Sequence, residues 1–421
     1  MTNYFVRVFI YKYEVKDYDE TYRLTLGILR AVGLRATRKD SACARIWWDF
    51  FYWFEFVTLA FACILEILNM VETGRGGSFQ DYVDIFRMMP CFGFSFLGLV
   101  KSYKVKHGQS AVENVIEELR RMWPREVDAE GHRIVSTSQR RLNILMKGYY
   151  WCNNLLVAFY LVAPFVFMFM RAVGWNMPLM LPFFYWTGNI DQFQPGVYHF
   201  LLAEQTWHAM VTIFFMLSAD LLFCIFLSHI TMQLDLLSLR IQSFVYVAPD
   251  EQLIPSYPLG ELTKNEILKM SGAELERRYE KELLEIVTKH RNLIRLSDDV
   301  ESIFSFTLLL NFFNSSIIIC FCGFCSVLVE KWSDLIYKTF LTTALSQTWL
   351  LCWYGQRLKE SSVAVSDALY SSGWYKMSKE IRKSFLFMMQ SKEVHITTYG
   401  FSIISLAAYT TVSFYKNESR V

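Results

Sequence analysis

The sequence predicts an all-α, polytopic membrane protein with seven transmembrane helices, and three observations carry that reading. Seven apolar stretches are each long enough to cross a bilayer, which takes roughly 20 residues. Lysine and arginine crowd into alternate polar intervals between those stretches. The chain of 421 residues is 53% hydrophobic and 17% aromatic, with a mean hydropathy of +0.23. Its apolar content sits in long runs, so one membrane domain fits better than two or three soluble ones.

The first span runs near Ile46 to Val71, with tryptophan, phenylalanine and tyrosine crowded at its start, and the second near Tyr82 to Val100. The third is Tyr149 to Met170, and the fourth about Trp207 to Met232. The fifth is about Val300 to Val329, the sixth Leu335 to Tyr354, and the seventh Val394 to Tyr415. Several helices outrun the bilayer. Ser271-Gly272-Ala273-Glu274 has the form of a capping box, and no proline occurs from there to Glu330. The fourth helix continues through Gln233, Leu234, Leu237 and Arg240, and the sixth through Leu358, Val365, Ala368 and Leu369. The proline-rich interval Ala248 to Lys269 reads as a disordered linker. Gly174 to Val197 is too rich in Trp, Phe and Tyr for a free loop and is expected to fold over the outer mouth of the helices.

Charge sets the expected orientation. The leader before the first span holds nine basic residues from Arg7 to Arg45, and the intervals Lys101–Lys147, Arg240–Arg295 and Arg357–Lys392 are similarly basic. The intervening ones contain Arg75, Arg171 and Lys331. The positive-inside rule places the N-terminus in the cytoplasm and the C-terminus outside, the reverse of a G-protein-coupled receptor. The expected division is a cytoplasmic segment, 1–45, and a seven-helix membrane domain, 46–421. Within the latter, 233–299 and 355–393 form a cytoplasmic helical anchor. No cleavable signal peptide is visible, so the first span is expected to direct insertion. A net charge of +2 gives no reason to expect nucleic acid as a partner.

Catalytic and metal-binding patterns are absent. There is no phosphate-binding glycine loop, nucleophile elbow or paired-histidine motif. Neither an enzyme nor a metal or cofactor is expected. Eight of nine cysteines lie in or beside apolar runs, which excludes a secreted disulfide framework. Cys320, Cys322 and Cys325 are read as packing residues, since no histidine lies near them in sequence. Polar groups inside the spans are more telling, because burying them is costly. They include Glu55, Glu66, Asp220, Asn311 and Gln347, with Asp84 and Arg87 one turn apart and able to pair.

The second to fourth spans are studded with aromatic residues and few polar tips, which suits a cavity for a small hydrophobic ligand. The candidate ligand-binding residues are Met89, Phe92, Phe96, Tyr160, Phe167, His208 and Thr212, with Ser346 from the sixth span.

The stretch after the sixth span runs Cys352-Trp353-Tyr354-Gly355-Gln356-Arg357-Leu358, then Glu360-Ser361, Val365, Ala368, Tyr370, Trp374 and Tyr375. Its tyrosine–glycine pair, Glu-Ser step and following tryptophan resemble the insect odorant receptor family. Leu181-Pro182-Phe183 through Gln205, Asp220-Leu221-Leu222-Phe223 with His229, and His290 with Asn311-Phe312 resemble the same family. The resemblance implies a ligand-gated, non-selective cation channel, assembled as a heterotetramer with a shared co-receptor subunit. The anchor would come from the last four helices, and the odorant or pheromone-like volatile would bind in the outer half among the second, third, fourth and sixth. It further implies a multi-pass protein of the sensory-neuron membrane. Ile404-Ser405-Leu406, with Tyr409 and Val412, resembles the start of the pore-lining helix. The polar ending Lys416 to Val421 departs from the family's apolar ending and is expected to alter the gate. A gustatory receptor of the same superfamily, or a transporter of small hydrophobic molecules, is the alternative.

Overall fold

The computed structural model describes residues 10–35, 41–176, 179–244, 246–247, 253–254, 272–328, 333–391 and 393–414. Most of the 248–269 interval, Ser271, the side chain of Cys325 and the tail after Phe414 lie outside the described residues. Short helices α1 (Val15–Thr21) and α2 (Arg23–Ala31) precede α3 (Ala42–Gly74), α4 (Phe79–His107), α5 (Gln109–Arg121) and α6 (Ala129–Ala172). Then follow α7 (Pro195–Gln242), α8 (Gly272–Leu328), α9 (Ser333–Ser371), α10 (Lys379–Met389) and α11 (Leu406–Phe414). Strands β1 (Tyr11–Lys12) and β2 (Glu126–Val127) pair antiparallel, as do β3 (Tyr246–Val247) and β4 (Leu253–Ile254).

Local sequence explains where the helices begin. Ser78 and Asp81 form a reciprocal capping box at the start of α4. The Asp128 carboxylate accepts from the Gly131 amide at 2.8 Å before α6. Pro195 opens α7, where its missing N–H costs nothing.

Helix α7 is the axis of the molecule and packs against α4, α6, α8 and α9. Every residue from Phe215 to Leu234 is buried. A helix that is apolar on all sides must be surrounded by protein or lipid, and here protein surrounds it. Helices α3 and α6 instead leave Trp47, Phe50, Phe61, Trp151, Leu155 and Phe169 exposed, a surface suited to lipid. Among the described residues α3, α4, α6, α7 and α8 are each long and apolar enough to cross a membrane. The sixth and seventh spans fall on α9 and α11. Helix α8, with 57 residues, measures about 85 Å at 1.5 Å per residue, so the expectation of one unbroken rod is met.

Two expectations are corrected. Val394 to Tyr415 is not one continuous helix. Residues 394–404 make a tight reversal, with the Ile404 amide donating to the Ile396 carbonyl at 2.9 Å and Thr398 to Ser402 at 2.8 Å. Gly400 turns the chain at φ +80°, a conformation that favours glycine. The flanking Val, Ile and Thr side chains favour extended backbone, and the helix starts only at Leu406. The second correction is Lys101. Its neighbours Lys104 and Lys106 mark it as a loop cation, yet it is 2% exposed and paired inside the bundle.

The leader packs under the helices. Tyr18 and Tyr22 are buried, and the Tyr18 hydroxyl donates to the Ile116 carbonyl of α5 at 2.7 Å. His229 of α7 stacks on Tyr22 at 5.7 Å and reaches Thr21 Oγ1 at 3.0 Å.

Candidate functional site

Toward the end of the bundle covered by residues 174–197, a small cavity of about 30 Å³ lies between α4, α6, α7 and α9. Cys91, Phe94 and Ser95 line it from α4, and Leu156, Val157 and Tyr160 from α6. Ala209, Thr212 and Ile213 come from α7, Phe340 from α9, and Phe183 from the covering segment. Four rings enclose the space. Tyr160 meets Phe183 and Phe340 edge-on, each at 5.7 Å, and Phe94 meets Phe340 at 5.4 Å. Such offset and edge-on pairs are the favoured aromatic contacts.

The polar tips are few and paired. The Tyr160 hydroxyl donates to the Pro182 carbonyl and lies 2.9 Å from Cys91 Sγ. Ser95 and Thr212 hydroxyls approach at 3.4 Å. Gln205 Oε1 accepts from the Phe183 amide at 2.8 Å, which ties the covering segment to α7. Tyr185 stacks on Phe183 at 6.0 Å and reaches His208 Nδ1 at 3.2 Å. A space of about 30 Å³ holds about one water, so a larger guest enters only when these rings move.

The predicted residues divide. Tyr160 and Thr212 line the cavity. His208 is buried one turn from Thr212 and supports the covering segment, with Glu204 2.8 Å away. Phe92 stacks on Phe96 at 5.9 Å, and Phe96 is 44% exposed. This pair sits about a third of a turn round α4 from the cavity face. Met89 and Phe167 are half-buried and outside the lining. Ser346 Oγ lies 3.7 Å from Cys152 Sγ, deeper along α9. Phe94, Phe183 and Phe340 are not among the ligand-binding candidates named from the sequence. One feature marks Phe94: Gly98 lets α4 touch α7, since a Cβ there would sit 3.2 Å from the Thr212 carbonyl. Phe94 shares that face with Gly98.

Deeper in the bundle, one buried polar cluster ties five helices together. Lys101 Nζ of α4 donates to Asp220 Oδ1 of α7 at 2.7 Å and to Asn311 Oδ1 of α8 at 2.8 Å. Asp220 Oδ2 accepts from the Tyr149 hydroxyl of α6 at 2.9 Å and from Gln347 Nε2 of α9 at 2.7 Å. A buried charge pair of this kind is tolerated when its remaining donors and acceptors are filled. Among the described residues no cluster of His, Cys, Asp and Glu could hold a metal ion.

Near the middle of α9, Ile404 packs against Gly355, and Ser405 caps α11, its hydroxyl accepting from the Ala408 amide at 3.4 Å. Leu406 and Tyr409 lean on the core, and Val412 lies in the last turn of α11.

The family described as 7tm Odorant receptor matches residues 81–414. Odorant receptor 85b of Drosophila melanogaster is 25% identical over 374 residues, covering 85% of this chain and 86% of the relative. Odorant receptor 67c of the same fly is 23% identical, covering 94% and 93%. The solved structure of the insect olfactory receptor OR5 from Machilis hrabei superposes with a TM-score of 0.76 at 14% identity, covering 95% of this chain and 96% of that one. The same receptor in complex with eugenol gives a TM-score of 0.74 at 13% identity.

Proposed function

We propose, from the premise that the chain belongs to the 7tm odorant receptor family, that it is the tuned subunit of an odorant-gated cation channel. The observation that carries this reading is the cavity ringed by Phe94, Tyr160, Phe183 and Phe340. An apolar, aromatic site with a hydroxyl and a thiol at its edge suits a small volatile or pheromone-like molecule with one polar group. The Machilis receptor was solved with eugenol, a ligand of that kind. Binding displaces rings packed on α4, α6, α7 and α9, and so favours one arrangement of these helices over another.

The basic intervals support a cytoplasmic N-terminus and an outer C-terminus, so the cavity opens from outside. Helix ends of α7, α8 and α9 with α10 then form a cytoplasmic anchor for a heterotetramer with a co-receptor subunit. Helix α11, beginning Ile404-Ser405-Leu406 and carrying Tyr409 and Val412, is the pore helix.

Cells expressing this chain with the co-receptor, screened with volatiles, supply the test. Tyr160→Phe and Phe340→Leu are expected to shift the odorant dose–response by about tenfold, as loss of a 1–3 kcal/mol contact does. Phe92→Ala, off the cavity face, is expected to move it less. Unchanged potency in both cavity variants at equal surface delivery rejects the site. Robust current from this chain alone rejects the need for a co-receptor.

A further inference from the structure

A second and larger cavity, of about 380 Å³, opens between α6, α7 and α9 toward the α5 end of the bundle. Its lining is polar and basic. Arg133, Arg141 and Arg357 contribute three guanidiniums against a single acid, Asp235. Arg357 lies 3.8 Å from Asp235 and 3.2 Å from Glu360, and Arg133 lies 3.5 Å from Glu130, so neither is tightly paired within the cavity. Two hydroxyls complete the picture. Thr231 and Tyr354 border the cavity, their residues only 7% and 2% exposed, and among the described residues neither buried hydroxyl has a hydrogen-bond partner. Buried hydroxyls are almost always paired, and an unpaired one calls for an explanation.

Guanidiniums have donors only, and the two unpaired hydroxyls at the cavity wall can donate as well once a rotation turns them toward a guest. Several donors converging on one space fit a group that only accepts. We propose that this cavity binds the phosphate group of an anionic ligand, with the guanidiniums gripping its oxygens and Thr231 and Tyr354 donating to the remainder. Arginine is suited to this because its planar fork matches phosphate geometry. Burial raises the Asp235 carboxyl above its usual range, against the pull of Ser361, Arg357 and Arg141. The α6 wall continues into the exposed apolar surface of Ile144 and Trp151, so the headgroup of a phosphorylated lipid can reach the cavity from the bilayer. A soluble phosphate ester offers the same chemistry. Only the assignment to the inner leaflet, where anionic lipids are enriched, rests on the orientation proposed above.

The full chain, purified with its co-receptor in nanodiscs of phosphatidylcholine doped with phosphatidylinositol bisphosphate, allows retained lipid to be counted by native mass spectrometry. Nanodiscs present both leaflets, so the result does not depend on orientation or on odorant response. Selective retention of the phosphorylated lipid is expected. Arg141→Gln with Arg357→Gln should lower it by about tenfold or more, in line with losing charge-assisted hydrogen bonds. Thr231→Val and Tyr354→Phe keep shape and remove only a hydroxyl, so they should lower retention several-fold with unchanged thermal unfolding. Soluble inositol trisphosphate is tested alongside. If it binds and the lipid is not retained, the phosphate source is soluble. Lipid retention equal in native protein and all variants, with no binding of the soluble ester, overturns the proposal.

Discussion

Gly355 shows how much one missing methyl group decides. A Cβ at this position would lie 2.6 Å from the Ile404 carbonyl oxygen and 2.8 Å from its side chain. The chain can therefore turn into α11 only because residue 355 is glycine. Gly355→Ala is expected to displace the start of α11 and to remove most ligand-evoked current at normal surface levels, measured by voltage clamp beside surface biotinylation. Wild-type current would show that Ile404 yields without consequence. Lys101 and Asp220 make a different kind of residue-scale claim. Leaving one charge buried without its partner costs about 3–5 kcal/mol. Lys101→Met or Asp220→Leu alone should each lower thermal stability markedly, and the double variant should lose less than their sum. Additive losses in a double-mutant cycle would show that the two residues do not interact.

Helices α7, α8 and α10 meet where Phe244 packs on Tyr279 at 5.4 Å and on Phe385 at 5.7 Å. Arg240 at the end of α7 pairs with Glu282 at 2.5 Å and with Glu285 at 2.8 Å on α8. Lys289, two turns along α8, is pushed down to about 8 by burial, and the Arg240 guanidinium adds to the depression. The unfolded chain holds that proton up to about 10.5. The folded state thus bears the cost of a buried ammonium below about pH 8, and stability is regained as pH rises from about 8 to 10.5. Lys289→Met should stabilise the detergent-solubilised protein at pH 7 by up to about 3 kcal/mol, read as a higher thermal midpoint. That gain should shrink as pH approaches 10, and a gain independent of pH would refute the assignment.

At the scale of the whole molecule, orientation is the open prediction. An epitope at the C-terminus should be labelled on intact cells and one at the N-terminus should not; the reverse pattern would reject the charge argument. Lys101 no longer belongs to that argument, since it is buried against Asp220, but Lys104 and Lys106 with the arginines of α5 and early α6 leave it standing. The altered-gate expectation for the tail after Phe414 lies outside the described residues. Exchanging the residues after Ser413 for a family-typical ending, and comparing current and ion selectivity, tests it directly.

The sequence alone determined the α-helical class, the first six spans and the long α8 rod, because bilayer crossing and helix propagation are local properties of length and composition. It also located the covering segment at 174–197 through its excess of rings. It could not tell which face of α4 points inward, since Phe92, Phe94 and Phe96 are alike in composition and differ only in neighbours. Tertiary structure chose Phe94, because the small residue Gly98 brings that face of α4 against α7. Tertiary structure likewise turned Lys101 from a loop charge into the centre of a five-helix cluster, because its acceptors Asp220 and Asn311 lie more than 100 residues away. The late start of α11 has both causes: the β-branched run and Gly400 disfavour helix locally, and Ile404 is seated over Gly355 in the fold.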